Sequence, residues 1–329
     1  MQKFINNHRL ILMEAAIVEQ LRRYERIVLH PRLENALLIY ENQGQEALAK
    51  LYQSYIDIAC QANLPILLCT PTWRANPERV QESNVELNIN GDAVHFLKKI
   101  RDEQHMATPE IKIGGLIGCK NDCYKPNEGL SPDEAERFHA WQINQLAHAG
   151  VDFLIAVTLP SVEEAIGIAR AMAKTKVPYI ISFVIGRDSC ILDGFPLVNA
   201  ISTIDESTKY PPIGYLVNCA YPSFLHASEQ PTALYKRLIG YQANASSFDH
   251  CDLDEAVDLK VNDISDWGKQ MLTFNQHYGI KILGGCCGTG VQHLKYLVNH
   301  KTFVQPASHY SAAKLKFGAR RPPNVSLDD

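Results

Sequence analysis

The sequence lacks an excess of charge of either sign. Its 329 residues include 32 Lys or Arg and 36 Asp or Glu, which gives a formal net charge of −4 at pH 7. Nucleic-acid-binding proteins usually carry a strongly basic face, so this balance argues against a nucleic-acid partner. With 46% hydrophobic and 21% charged residues, the composition is typical of a globular protein with a large core rather than of a disordered chain.

Long hydrophobic runs and dense cysteines are also missing. The most apolar N-terminal stretch, Leu10 to Val18, is interrupted by Glu14 and is not followed by the small residues of a cleavage site. It therefore predicts neither a signal peptide nor a transmembrane helix. Nine cysteines are too few for a disulfide scaffold and odd in number. We expect a cytoplasmic protein without a membrane partner, in which grouped cysteines bind metal or react.

Short apolar runs recur along the chain, each followed by a polar turn and a longer stretch with helical spacing. The eight runs span residues 10–13, 65–70, 111–118, 151–158, 178–184, 215–219, 238–241 and 280–283. Strands that are apolar throughout indicate a parallel sheet covered on both faces, and eight such units close a barrel. We predict a single-domain α/β protein, a (β/α)8 TIM barrel over residues 1–306 with a C-terminal extension over 307–329. The sequence leaves the oligomeric state open.

Two helix starts carry capping signals. Ser131-Pro132-Asp133-Glu134 and Ser161-Val162-Glu163-Glu164 each place a Glu three residues after a capping Ser. This spacing is typical of a capping box, in which the Ser and Glu side chains satisfy the first backbone N–H groups of a helix. Both segments follow predicted strands, so they predict the helices that cover the outside of the barrel.

The strongest local signal is the segment Gly284-Gly285-Cys286-Cys287-Gly288-Thr289-Gly290, which follows the last apolar run. Adjacent cysteines in a strand point to opposite faces, so bringing both sulfurs to one metal requires an irregular backbone, which the glycines permit. Cys219 ends the sixth run, and the carboxyl ends of barrel strands share one rim. We therefore predict a site formed by Cys219, Cys286 and Cys287. Three thiolates on zinc leave one position for a substrate thiol, which then ionises and attacks a methyl carbon.

Other interpretations of these residue types remain open. Cys286 and Cys287 could instead form a redox pair or a vicinal disulfide, although neither accounts for Cys219. Isolated cysteines are commonly small buried hydrophobes, and this interpretation applies to Cys60, Cys69, Cys190 and Cys251. His293, in helical sequence after the cysteine pair, could contact a metal ligand. Four histidines lie in polar surroundings and are expected to be solvated: His139, His148, His250 and His277.

Asn218-Cys219 and the segment from Gly284 to Thr289 resemble the homocysteine S-methyltransferase family, and the resemblance extends from about Leu10 to Leu297. It implies a zinc-dependent barrel whose metal is held by Cys219, Cys286 and Cys287. It also implies an enzyme that moves a methyl group from a sulfonium or quaternary ammonium donor to homocysteine, giving methionine. Weaker support comes from Gly114 to Tyr124, Gln142 to Thr158, Ser182-Phe183, Asp193-Gly194, Tyr241 to Asn244, and His293.

Three departures from the family pattern concern the substrates. The family carries Asp-Gly-Gly where this chain has Glu14-Ala15-Ala16, and a Glu where this chain has Val157; both family carboxylates serve the homocysteine ammonium. We hypothesise that Glu14 reaches that ammonium alone, and the alternative is that Glu14 forms an internal salt bridge. Trp73 replaces a family Tyr and could present its ring to a cationic donor.

The predicted substrate-binding residues are Glu14, Trp73 and Thr158. Two further hypotheses keep the zinc site and change the function. The protein would act on a different small thiol, as the loss of the second carboxylate suggests, or it would be a non-catalytic zinc-binding barrel with a regulatory role.

Overall fold

Eight parallel strands form one closed barrel in the structure, a computed structural model that describes residues 1–104, 109–248 and 262–302. The strands are β1 Ile11–Met13, β2 Ile66–Cys69, β3 Ile111–Ile117, β4 Phe153–Leu159, β5 Tyr179–Phe183, β6 Gly214–Ala220, β7 Leu238–Ala243 and β8 Ile282–Gly285. They pair in sequence order, and β8 closes on β1. Each strand overlaps one of the predicted apolar runs, β8 by only half of its length, so the predicted (β/α)8 barrel is confirmed.

Helices follow the strands and surround the barrel. They are α1 Gln2–Asn7, α2 Val18–Leu21, α3 Asn42–Ala62, α4 Pro77–Glu82, α5 Ile89–Asp102, α6 Pro132–His148, α7 Val162–Thr175, α8 Leu197–Ser207, α9 Ile264–Tyr278 and α10 Val291–His300. Within the three described ranges, no helix has both the length and the hydrophobicity needed to cross a bilayer. The predicted extension over 307–329 lies outside the described residues, as do Cys251 and His250.

Two buried layers, separated by the strand backbones, form the core of the barrel, and a smaller third cluster lies around Leu33 and Val80. Along β4, Phe153, Ile155 and Val157 belong to the cluster inside the barrel, whereas Leu154 and Ala156 belong to the cluster between barrel and helices. This alternation follows from the two-residue period of a strand. Both clusters are apolar, which explains why the strand sequences show no alternation of polar and apolar residues.

Helix α1 closes the amino end of the barrel. Phe4 and Ile5 pack in the same buried cluster as the inward-facing residues of the strands. The helix is attached to β8 because Lys281 Nζ, just before that strand, donates to the Ile5 carbonyl at 3.0 Å. Since apolar side chains close this end, the carboxyl ends of the strands form the other end of the barrel, where TIM-barrel active sites lie.

One of the two predicted capping boxes is present. Glu134 Oε2 accepts hydrogen bonds from the Ser131 backbone N–H at 3.2 Å and from its hydroxyl at 2.5 Å, at the start of α6. The second prediction is wrong. Ser161 makes no side-chain cap, and the first N–H of α7, that of Val162, is satisfied instead by Asp193 Oδ2 at 2.7 Å.

Glu164, the residue predicted to complete the second box, turns into the protein instead. Its Oε1 accepts from the Lys120 backbone N–H at 2.8 Å and lies 2.9 Å from His139 Nε2. Both side chains are buried, His139 completely, so the expectation that His139 is solvated is wrong. Because a carboxylate oxygen accepts, the His139 Nε2–H donates. This pair joins α6 and α7 to the loop that follows β3.

We expect Glu164→Leu to lower the free energy of unfolding by about 3–5 kcal/mol, because it leaves His139 and the Lys120 N–H without their acceptor. Urea unfolding followed by circular dichroism measures this change. The matched control is Glu163→Leu, one residue earlier on the exposed side of α7, which should change stability by no more than ~0.5 kcal/mol. Equal losses in both variants would contradict the assignment.

Candidate metal centre at the barrel mouth

The carboxyl ends of β6 and β8 bring three cysteine sulfurs together. The Sγ atoms of Cys219, Cys286 and Cys287 all lie within 4.8 Å of one another, and those of Cys219 and Cys286 are 2.6 Å apart. Tetrahedral zinc with Zn–S bonds of about 2.3 Å holds its sulfur ligands roughly 3.8 Å apart, a separation within this range. Cys219 is buried, Cys286 is half-buried and Cys287 is exposed, so the cluster can be reached from the mouth.

An irregular strand end turns Cys219 toward its partners. Its φ angle is +53°, a left-handed conformation uncommon for a residue with a Cβ. The pairing of β6 with β7 shifts register between Asn218 and Ala220, on either side of this residue. Thr158, at the end of β4, has the same features, with φ +56° and a register shift around it. Such irregularities redirect side chains next to active sites.

The glycines around the cysteine pair have distinct roles. Gly288 has φ +78°, which provides the turn after Cys287. Gly285 is needed for space, since a Cβ there would lie 2.1 Å from Thr289 Oγ1. Two backbone hydrogen bonds fix the pair. Cys286 N–H donates to the Ala243 carbonyl at 2.8 Å, and the Cys287 carbonyl accepts from the Ala245 N–H at 2.9 Å. The irregular backbone predicted from the sequence is therefore present.

A buried network of polar side chains from β4, β5 and β6 contacts Cys219. Asn218 Oδ1 accepts from the Thr158 N–H at 2.8 Å and the Ser182 hydroxyl at 2.6 Å. Asn218 Nδ2 donates to Thr158 Oγ1 at 2.6 Å, and that oxygen lies 3.7 Å from Cys219 Sγ. Because Thr158 Oγ1 accepts from Asn218, its proton can be donated to the Cys219 sulfur. Thr158, predicted as a substrate-binding residue, thus contacts a predicted metal ligand.

The electrostatics of the cluster favour a bound cation. Hydrogen bonding with the Cys286 thiol raises the pKa of Cys219 well above its ordinary value. Hydrogen bonding with Cys287 and burial act in the same direction. Three thiols at this distance cannot all ionise unless a positive charge joins them, because each thiolate raises the pKa of the others. A thiophilic divalent ion supplies that charge. The donor set therefore fits a metal ion of this class.

Two residues that the sequence analysis did not assign to the site lie beside the sulfurs. Burial, followed by the sulfurs of Cys219 and Cys287, raises the pKa of Tyr124 well above its ordinary value, so its phenol lies at the edge of the cluster. Glu19, in α2, accepts a hydrogen bond from the Gly288 N–H. Tyr124 lies in the loop after β3, within the segment Gly114 to Tyr124 that supports the family resemblance, whereas Glu19 belongs to α2 and no sequence motif marks it.

Glu14 lies at the carboxyl end of β1, one strand away from the cysteine pair. It is 6% exposed, and its Oε2 accepts from the Cys69 N–H at 2.7 Å. Burial raises the pKa of Glu14 to about 8, although the Cys69 hydrogen bond opposes this shift. The carboxyl group is therefore largely protonated at neutral pH. No cation within the described ranges forms an ion pair with it, which disfavours the alternative of an internal salt bridge.

The other two departures from the family pattern also lie at the mouth. Val157 is buried inside the barrel, so no carboxylate occupies that position. Trp73 is half-buried and packs against the same interior cluster. The Arg74 guanidinium carbon lies 4.0 Å from the centroid of the Trp73 ring. Because one face of the indole already contacts a cation, a cationic donor would have to use the opposite face.

His293 stabilises the end of the cysteine loop. Its Nδ1 accepts from the Gly290 N–H at 3.2 Å, and its ring meets the Trp267 ring edge-on with centroids 4.9 Å apart. Burial lowers the pKa of His293 to about 4, so the ring is neutral at physiological pH. The histidine that the sequence placed near the metal therefore fixes the start of α10.

We expect Glu14→Gln to stabilise the metal-free protein increasingly as pH rises from about 4.5 to about 8. Over this interval the unfolded chain loses the Glu14 proton while the folded protein keeps it, so the wild type loses stability that an amide retains. The gain should reach a few kcal/mol and then level off. Urea unfolding of both proteins at several pH values measures it. Parallel stability curves would contradict the raised pKa.

Known proteins share this sequence pattern and architecture. The homocysteine S-methyltransferase family pattern matches residues 11–300. Curated relatives include homocysteine S-methyltransferase YbgG from Bacillus subtilis (strain 168), 25% identical over 205 residues, which are 59% of this chain and 62% of that protein. Homocysteine S-methyltransferase 4 from Zea mays is 22% identical over 173 residues, 49% of this chain and 48% of that protein. Each aligned region spans less than two thirds of the relative's length.

Among solved structures, the metallated form of the homocysteine methyltransferase MmuM from Escherichia coli matches with a TM-score of 0.69 and 18% identity. The match covers 90% of this chain and 98% of that chain, which supports the barrel architecture. Since the family pattern extends from β1 through α10, this chain belongs to the homocysteine S-methyltransferase family.

Proposed function

We propose that this protein is a zinc-dependent S-methyltransferase, a one-carbon transferase that moves a methyl group from a sulfonium or quaternary ammonium donor to homocysteine, giving methionine. The observation that carries the proposal is the convergence of Cys219, Cys286 and Cys287 at the mouth of a barrel of this family. Three cysteine ligands are typical of a catalytic rather than a structural zinc site, because structural sites use four protein ligands.

Zinc is the metal that the donor set favours. Cys219, Cys286 and Cys287 would hold it, and zinc bound by three thiolates lowers the pKa of a thiol at its remaining position. The chain's own contribution is to fix the ligands. The Thr158 hydroxyl donates toward Cys219, and the hydrogen bonds of Cys286 and Cys287 to β7 and the segment after it hold the pair. Outer contacts of this kind commonly change metal affinity or activity 10- to 100-fold.

The reaction needs little proton chemistry from the protein. A bond forms between the acceptor sulfur and the methyl carbon while the bond from that carbon to the donor sulfur or nitrogen breaks. The electron pair of the broken bond stays on the donor, which leaves as a neutral thioether or tertiary amine, and the acceptor's thiol proton passes to solvent. The barrel mouth then serves chiefly to hold the two substrates in line, so proximity supplies much of the rate.

The remaining expectations are part of the same proposal. The partners are a small thiol and a small methyl donor, with no nucleic acid or membrane surface, and the location is cytoplasmic. The barrel forms one domain over residues 1–306, followed by an extension over 307–329. The oligomeric state is left open.

Specific features favour a second acceptor class. Val157 places no charge inside the barrel, and Glu14 is largely protonated at rest. A small thiol without an ammonium group would therefore meet no desolvated counter-charge. The corresponding hypothesis is a methyltransferase that acts on a thiol other than homocysteine, and a zinc-binding barrel with a regulatory role is the non-enzymatic alternative.

We expect zinc-loaded protein to convert homocysteine and S-methylmethionine into methionine, and Cys219→Ala to abolish both metal binding and turnover. Loss of one of three ligands should weaken zinc affinity by at least about 100-fold. Elemental analysis after dialysis against a weak chelator and mass spectrometry of the product measure the two effects. The control is Cys60→Ala, a half-buried cysteine of α3, which should keep both.

The other outcomes separate the hypotheses. Methylation of other thiols but not of homocysteine would support the second acceptor class. Tight zinc binding without turnover of any sulfonium or quaternary ammonium donor would support the regulatory role. An unchanged zinc content in Cys219→Ala would contradict the metal site itself.

We expect Glu14→Gln to raise the Michaelis constant for homocysteine by about 10-fold or more, because the ammonium group loses its carboxylate partner. Zinc content and the Michaelis constant for the donor should stay unchanged, and these serve as internal controls. Steady-state kinetics with each substrate varied in turn gives all three values. An unchanged homocysteine constant would discard Glu14 as the ammonium-binding residue.

A further inference from the structure

Arg74 is a buried cation without a carboxylate partner. It lies just after β2, at the same end of the barrel as the cysteines, and is 9% exposed. Within the described ranges, no Asp or Glu oxygen comes within 4.0 Å of it. A buried guanidinium without a counter-charge costs several kcal/mol after relaxation. Such a residue is therefore expected to have a function that its charge serves.

Three parts of the Arg74 side chain have different surroundings. Nη1 donates to the carbonyls of Asn121 at 2.7 Å and Cys119 at 3.4 Å, both in the loop after β3. One guanidinium face lies over the Trp73 ring. The remaining edge, formed by Nε and Nη2, has no hydrogen-bond partner in the described part of the chain. Neither nitrogen is among the buried polar atoms without a partner, so this edge borders accessible space.

The Nε–Nη2 edge of a guanidinium is an edge that binds carboxylates side-on, through two parallel hydrogen bonds. Arg237 shows the arrangement in the same protein, since its Nε donates to Asp205 Oδ2 at 2.8 Å and its Nη2 to Asp205 Oδ1 at 2.7 Å. Like Arg74, Arg237 also donates to a backbone carbonyl, that of Pro212 at 2.7 Å. The Arg74 guanidinium is therefore anchored to backbone carbonyls as that of Arg237 is, but no carboxylate of the described residues pairs with it. The planar fork matches a carboxylate better than a point charge does.

The neighbouring carboxylates are engaged elsewhere. Glu78 lies 3.0 Å from Lys120 Nζ, and Glu34 lies 3.1 Å from Arg22. Asp122, in the loop that anchors Arg74, accepts from the Tyr124 N–H at 2.9 Å. These contacts leave the Nε–Nη2 edge to a group that comes from outside the chain.

The backbone is shaped to hold Arg74 at this position. Gly118 N–H donates to the Trp73 carbonyl at 3.1 Å, and a Cβ on Gly118 would lie 2.5 Å from Trp73 Nε1. The absence of that Cβ lets the loops after β2 and β3 pack closely, with Trp73 facing the barrel interior and Arg74 beneath the β3 loop. Because β2 and β3 end on the same rim of the closed barrel as β6 and β8, the Arg74 site and the metal centre share one mouth.

We propose that the Nε–Nη2 edge of Arg74 binds the carboxylate of a small substrate and so orients that substrate toward the three cysteines. The orientation of the substrate toward the cysteines rests on the proposed methyl transfer. The binding of a carboxylate rests on the geometry of Arg74 alone. Both the thiol acceptor and the methyl donor can carry such a carboxylate. The chemistry that the site recognises is the same in each case, and substrate analogues distinguish the two sources.

The kinetic test compares substrates with and without a carboxylate. The acceptors are homocysteine and 3-aminopropane-1-thiol, and the donors are S-methylmethionine and (3-aminopropyl)dimethylsulfonium, so that each pair differs only in the carboxylate. We expect Arg74→Gln to raise the Michaelis constant about 10- to 100-fold for the substrate whose carboxylate binds Arg74. The constant for its carboxylate-free analogue should change less than about twofold. The pair that shows this difference, acceptor or donor, identifies the source of the carboxylate.

Two further variants control for charge and for folding. Arg74→Lys keeps the charge but not the fork, and should recover only part of the lost affinity. Arg79→Gln removes a second, half-buried guanidinium. Burial, followed by the charge of Arg74, lowers the Arg79 pKa, so the two side chains lie near each other. Arg79→Gln should leave the carboxylate preference unchanged. Circular dichroism and zinc content establish that each variant is folded, and Arg74→Lys provides the comparison if Arg74→Gln does not fold.

Direct binding separates this proposal from the proposed function. Isothermal titration calorimetry of the zinc-loaded protein with homocysteine and with 3-aminopropane-1-thiol measures the carboxylate preference without turnover. A preference lost in Arg74→Gln, in a protein that methylates nothing, would support the carboxylate site while the methyltransferase proposal fails. Equal effects of Arg74→Gln on both members of each substrate pair, in kinetics and in binding, would overturn the carboxylate site.

Discussion

Repulsion between neighbouring thiolates is the constraint on which the site depends. Cys219, Cys286 and Cys287 lie so close together that ionising one raises the pKa of the others. The set can exist in its reactive form only around a shared positive charge. Barrel closure creates this situation, because it brings the ends of β6 and β8 to one rim although they are far apart in sequence. Helix α1 fills only the amino end of the barrel, so it does not cover this rim.

The strand ends carry a conformational cost that the polar network offsets. Cys219 and Thr158 both adopt positive φ angles, and a left-handed residue with a Cβ costs of order 1–3 kcal/mol. Asn218 lies between them and satisfies the Thr158 N–H, the Thr158 hydroxyl and the Ser182 hydroxyl. These buried hydrogen bonds hold Thr158 within reach of the Cys219 sulfur. The amide of Asn218 therefore connects the backbone distortion of β4 to that of β6.

The features that the sequence predicted are those encoded by local pattern. Apolar strands separated by helices predicted the barrel, and cysteines at two strand ends predicted the cluster, because parallel strands end on a common rim. The failures involve tertiary contacts. Glu164 has the spacing of a capping box but is bound by the Lys120 N–H and His139, and the same contact buries a histidine expected to be solvated. Tyr124 and Arg74 reach the mouth through loop packing, which has no periodicity to detect.

The mouth holds one permanent charge and one that depends on binding. Arg74 supplies a guanidinium charge, whereas Glu14, with a pKa raised by burial to about 8, is largely neutral until a cation approaches. For an amino-acid thiol held by both residues, binding near neutral pH would include release of the Glu14 proton. Ionising that group one pH unit below its pKa costs about 1.4 kcal/mol, a tenfold loss of affinity. Under the proposed function, ionisation of a metal-bound thiol would make the affinity of any thiol acceptor rise with pH. Release of the Glu14 proton would add a second contribution, up to about pH 8, only for an acceptor that carries an ammonium group.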